Sequence, residues 1–134
     1  MTVTLDTNVL LSATLWDGSV SQKLLFDLIR KDIKIYSSPS ILEEYQRVLK
    51  RDFDFSDGEV MNIMNKVLAF VNLVIPRIKV DVVKDDPEDN HIIECALASK
   101  SRYIVTYDKH LLIINEYAGV KMIRPEEARS LSFS

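Results

Sequence analysis

The chain has 134 residues, enough for one domain with a substantial core, and its 47% hydrophobic and 28% charged residues are the balance of a soluble globular protein. No apolar run approaches the ~18 residues of a membrane span, and the first residues lack the basic flank and cleavage site of a secretory signal, so a cytoplasmic protein without membrane contact is expected. Lys and Arg total 17 against 20 Asp and Glu, a net charge of −3 that disfavours a nucleic-acid partner unless several acids converge on a metal ion.

In chain order, "TVTL" (2–5) reads as a buried strand that ends on Asp6, with Val9, Leu10 and Leu11 continuing the apolar pattern. Ser19 is placed to cap a helix carrying Leu24, Leu25, Leu28 and Ile29 on one side. A strand "IKIY" (33–36) precedes "SPSILEEYQRVLKR", a helix with Ser38 or Ser40 as cap and Pro39 near its first turn. Ser56 and Glu59 have capping-box spacing ahead of a long helix, followed by a weaker strand signal in "LVIP" (73–76). "DDPEDNHIIECALASK" begins a helix with Asp86 as N-cap and Pro87 at the first helical position. The strand "YIVTY" (103–107), a weaker one in "VKMI" (120–123) and a short helix in "RPEEARSL" complete the pattern. Alternating β and α predict an α/β fold, a three-layer sandwich around a mainly parallel sheet of about five strands, in a single domain spanning 1–134.

Four acids stand where such a fold gathers its functional groups, beyond the carboxyl ends of the strands. Asp6 follows the first strand and Asp108 follows "YIVTY". At ~100° per residue, Ile41, Leu42, Tyr45, Val48 and Leu49 share one helix face, with Glu44 on its border and Glu43 turned to water. Asp89 falls inside the stripe of Ile92, Ile93 and Ala96, whereas His91 lies off it. Each acid also has an ordinary role: Asp6 and Asp89, like Asp86, as helix caps, Glu44 as a solvated glutamate on the helix border, and Asp108 as a turn residue. Asn8 and Thr106 offer small polar groups beside Asp6 and Asp108, and His110 reads as a surface histidine. Clustered carboxylates repel one another unless a cation holds them ionised, and hard oxygen donors select Mg²⁺ or Mn²⁺, one or two ions, for phosphodiester hydrolysis. No Cys/His spacing suits zinc, and Cys95, the lone cysteine, reads as a buried thiol.

The order "LDTNVLLSA", "SPSILEEYQRVLKR", "DDPEDNHIIECALA", "YIVTYDKHLL" closely resembles PIN-domain proteins, and most of all VapC-type toxins of toxin–antitoxin systems. The resemblance implies a metal-dependent endoribonuclease with Asp6, Glu44, Asp89 and Asp108 as its metal-binding and catalytic acids. It also implies Asn8, Asp86, Asn90 and Thr106 as auxiliary residues. An RNA substrate, an antitoxin partner and a homodimer are implied as well. Arg47, Lys50, Arg51 and Lys109 could contact phosphates, which makes them candidate RNA contacts if the substrate is the RNA that the resemblance implies, with a solvated basic face as the alternative. A haloacid-dehalogenase-like phosphatase needs a second acid two residues after Asp6, where this chain has Asn8. A PIN-like RNA-processing nuclease outside a toxin system and a catalytically weak binding module remain as alternatives. Retention of all four acids argues against the second.

Overall fold

Val3, Thr4 and Leu5 are all buried, so the first strand, β1 (Thr2–Leu5), is covered on both faces, as expected of an inner strand in a parallel sheet. The computed structural model describes residues 1–131; residues 132–134, the end of the span expected to form one domain, lie outside the described residues. After β1 come α1 (Thr7–Leu15), α2 (Val20–Arg30), β2 (Lys34–Ser37), α3 (Pro39–Phe53), α4 (Asp57–Phe70) and β3 (Val71–Leu73). A 3-10 turn (Pro87–Asp89) then leads into α5 (Asn90–Ala98), β4 (Tyr103–Val105), α6 (Lys109–Ile114), β5 (Glu116–Tyr117), β6 (Val120–Ile123) and α7 (Pro125–Ser130).

The helix starts follow their caps. Ser19 accepts from the Gln22 N–H at 3.1 Å, and Ser38, not Ser40, accepts from Ile41 at 3.4 Å. Ser56 and Glu59 close a reciprocal capping box at 3.2 and 3.0 Å. The start of α5 differs from the expectation: Pro87 opens the 3-10 turn, and neither Asp86 nor Asp89 makes a side-chain cap.

The strands form one sheet in the order β3-β2-β1-β4-β6-β5, parallel throughout except for β5. The expected five strands are therefore six. The extra one is two residues long and pairs with β6 across a turn in which Ala118 and Gly119 both have positive φ (50° and 86°), the backbone that a tight hairpin requires. So short a strand leaves no alternation to read. The third strand begins at Val71, earlier than expected, because α4 runs directly into it; Val74 still bonds Ser37 at 3.0 Å before Pro76, which has no N–H, ends the ladder.

The topology selects the place of the site. The chain runs outward from β1 through β2 to β3, then returns to lay β4 on the other side of β1. With right-handed crossovers, α1–α4 and α5 fall on opposite faces. The packing follows this: α1 lies against α2 and α3, and α3 against α4, whereas α5 lies against β1, β2 and β4 and also meets α3. The strand order reverses between β1 and β4, and at such a switch point the loops diverge and leave a crevice. Asp6 leaves β1 and Asp108 follows β4 at that crevice.

Candidate metal centre

Asp6 is buried, and both of its carboxylate oxygens are engaged. Oδ1 accepts from the Thr7 N–H at 2.7 Å, which caps α1, and Oδ2 accepts from the Thr106 hydroxyl at 2.6 Å. Capping and membership of the acid cluster, alternatives in the sequence, are both realised in this one side chain. Burial raises its pKa to about 6, partly offset by the Thr106 and Thr7 hydrogen bonds and reinforced by the charges of Glu44 and Asp108.

Thr106 also accepts from the Asp108 N–H at 2.9 Å, so one fully buried hydroxyl joins the ends of β1 and β4. Replacing it by the isosteric valine leaves an acceptor and a backbone donor without partners. Thr106→Val is expected to lose about 1–3 kcal/mol of stability in urea denaturation near neutral pH and to raise the Asp6 pKa further.

Glu44 is partly buried and Glu43 exposed, as helical phase indicates, and Glu44 accepts from the Thr7 hydroxyl at 3.0 Å. Thr7 therefore connects Asp6 to Glu44, a role the sequence reading did not assign. Asn8, its neighbour, is exposed and stands outside this network. The signal was present: Thr7 shares a helical stripe with Leu10, Leu11 and Thr14, whereas Asn8 is in phase with Ser12.

The second half of the site is built differently. Oxygen atoms of Asp86, Asp89 and Asp108 and a ring nitrogen of His110 lie within 4.8 Å of one another. Asp89 Oδ2 is buried and has no hydrogen-bond partner. Burial, then Asp108, then Asp6 and Asp86 raise the Asp89 pKa to about 9. Two ionised carboxylates have no hydrogen to share, so Asp89 beside Asp108 is satisfied either by a proton or by a cation. Asp108 itself caps α6 by accepting from the His110 N–H at 2.8 Å. His110, expected at the surface, is half-exposed, but its Nδ1 lies 3.4 Å from Asp108 and 3.9 Å from Asp89. The surface position read from the sequence holds, and the first turn of α6 also brings the ring beside Asp89 and Asp108.

The remaining candidates are dispersed. Asn90 faces away from the acids: its Oδ1 accepts from Val82 and Val83, both at 2.9 Å, and its Nδ2 donates to Val83 and Pro87 at 3.1 and 3.0 Å. This single buried amide fastens the irregular segment before α5. Asn90→Ala is expected to cost roughly 2–4 kcal/mol in equilibrium unfolding, because it leaves two backbone N–H groups unpaired. Arg47 pairs with Glu88 at 3.7 Å, Lys50 with Asp57 at 2.8 Å and Arg51 with Asp52 at 2.8 Å, all at the surface, while Lys109 is exposed. His91 lies 3.3 Å from Glu94, apart from the cluster. Cys95 is buried, and burial pushes its thiol up to about 11, so it holds no thiolate near neutral pH.

The model of the PIN domain family matches residues 2–110. The chain belongs to the PIN-domain family. Among curated proteins, this PIN domain is 29% identical over 128 residues to the uncharacterized protein MJ1680 of Methanocaldococcus jannaschii, an alignment covering 90% of this chain and 81% of that one. Its fold matches the crystal structure of VapBC2 from Rickettsia felis bound to a DNA fragment from their promoter. The TM-score is 0.67 at 16% identity, over 91% of this chain and 97% of the other. The matched span, residues 2–110, is the part of this chain in which Asp6, Glu44, Asp86, Asp89, Asp108 and His110 lie. Among the described residues, no helix of this PIN domain is long and apolar enough to cross a membrane.

Proposed function

We propose that this PIN domain is a divalent-metal-dependent endoribonuclease, acting in the cytoplasm as the toxin of a toxin–antitoxin pair. The observation that carries the nuclease reading is the orphaned carboxylate oxygen of Asp89 inside a group of acids in which burial and neighbouring carboxylates raise the pKa of Asp6 and Asp89. The residues fit a hard divalent cation: carboxylate oxygens converge at separations that one ion spans, and Asp89 is not consumed as a helix cap. Asp86, Asp89 and Asp108 would hold Mg²⁺ or Mn²⁺, with Asp6 and Glu44 beside them, for one ion or two. Such an ion supplies an activated water and stabilises negative charge on a phosphodiester. Thr7 and Thr106 keep Asp6 and Glu44 in fixed positions, so the acids need not reorganise as charge develops. Arg47, paired with Glu88 beside Asp89 in the sequence, and Lys109, next to Asp108, are candidate contacts for the RNA backbone, with Lys50 and Arg51 further along α3.

The toxin assignment rests on the family resemblance and on the fold shared with a VapBC complex. A small antitoxin protein and a second copy of the chain are the partners proposed. The whole chain, 1–134, is proposed to work as one nuclease unit. Purified protein incubated with a mixed pool of single-stranded RNAs is expected to cleave in Mg²⁺ or Mn²⁺ and to stop on chelation. Intact RNA throughout, with either metal and without antitoxin, would leave only a binding module.

A further inference from the structure

We infer that His110 is a nitrogen ligand of the metal centre and makes this PIN domain prefer Mn²⁺ over Mg²⁺. The inference rests on the metal-binding reading above and adds to it a donor of a different chemical kind.

The two halves of the site differ in what their atoms still need. Around Asp6 and Glu44, hydrogen bonds from Thr7 and Thr106 already engage the carboxylates. Around Asp89 they do not, and this is the half that contains His110. The Nδ1 separations of 3.4 Å to Asp108 and 3.9 Å to Asp89 are longer than a charge-assisted hydrogen bond of about 2.7–2.9 Å. They match instead the spacing of atoms that share an ion. Ligands about 2.1 Å from an octahedral ion are about 3 Å apart when adjacent and about 4.2 Å apart when opposite. All four donor atoms, from Asp86, Asp89, Asp108 and His110, lie within 4.8 Å of one another and need only small adjustments to meet one ion. The backbone of His110 is already fixed by its N–H bond to Asp108 at 2.8 Å, so the ring is tied to one of the carboxylates it would join.

The consequence is selectivity. An all-carboxylate site suits Mg²⁺ and Mn²⁺ alike, but an imidazole favours ions further along the first transition row and adds little for Mg²⁺. Neutral imidazole also contributes a ligand without adding negative charge to a crowded group of acids.

Full-length, metal-free protein titrated with manganese chloride alone tests this, read by pulsed electron paramagnetic resonance and calorimetry. The bound Mn²⁺ is expected to carry a nitrogen hyperfine coupling that disappears in His110→Ala. That variant is expected to lose about tenfold or more in Mn²⁺ affinity and less than about threefold in Mg²⁺ affinity. His110 is half-exposed, so the alanine variant keeps the fold. Binding of Mn²⁺ without nitrogen coupling, or equal losses for both metals, would overturn the role of His110 and leave the carboxylate centre standing. No Mn²⁺ binding at all would overturn both.

Discussion

Asp89→Asn is expected to abolish metal-dependent RNA cleavage, by about 100-fold or more, while making the metal-free protein more stable at about pH 8. The two effects have one source. Asp89 is nearly enclosed, its Oδ2 has no donor, and Asp108, Asp6 and Asp86 all act on its charge. At about pH 8 the folded Asp89 has to hold a proton that the unfolded chain has released near 3.8, whereas an amide of the same shape offers Asp108 a hydrogen-bond donor without that cost. The stability gain should be roughly 1–2 kcal/mol, because Asp86 and Asp108 around it are only partly buried and solvent screens much of their effect on Asp89. Activity moves the other way, since even groups one step removed from a metal are commonly worth 10–100-fold. Chemical denaturation beside an RNA cleavage assay reads both. A variant that loses activity and stability together would mean that Asp89 supports the fold, although it caps neither the 3-10 turn nor α5.

The second large effect concerns pH. In the absence of metal, stability should fall as pH rises from about 4 to about 9. The sign follows from proton binding: Asp6 and Asp89, with pKa values raised to about 6 and about 9, keep their protons in the folded state after the unfolded chain has released them near 3.8. The folded state therefore binds more protons over that range, and stability declines, through about pH 6 for Asp6 and on to about pH 9 for Asp89. Added Mg²⁺ or Mn²⁺ replaces those protons, so the metal-induced rise in Tm should be much larger at about pH 8 than at about pH 5. Thermal melts across this range, with chelator or with metal, measure both slopes. In Asp89→Asn the decline above about pH 6 should flatten. A metal-free stability that is level or rises between about pH 5 and pH 9 would contradict the clustered-acid account.

Much of this site was legible before any tertiary contact was known, for reasons confined to short stretches of chain. Apolar strand signals end at Asp6 and lead to Asp108, so both acids belong to one sheet edge wherever the strands lie. A period of 3.6 separates Glu44 from Glu43, because the choice depends only on neighbours within two turns. Ser19, Ser38 and Ser56 cap their helices through bonds spanning three residues. Where an element lacked such a local signature, as with two-residue β5 or the passage from α4 into β3, the sequence was silent or displaced.

What the tertiary structure alone decided lies at longer range. Thr7 meets Glu44 across 37 positions of sequence, and Thr106 meets Asp6 across 100. Both bonds exist only because β1 is shared by β2 on one side and β4 on the other. The same packing left Asp86 and Asp89, read from the sequence both as caps and as site acids, without a capping bond, and set His110 beside them. Propensity and periodicity act between residues close in the chain, so they could bring the acids to an edge. Which acids are satisfied by hydroxyls, and which are left without a donor, depended on side chains that only the folded sheet brings together.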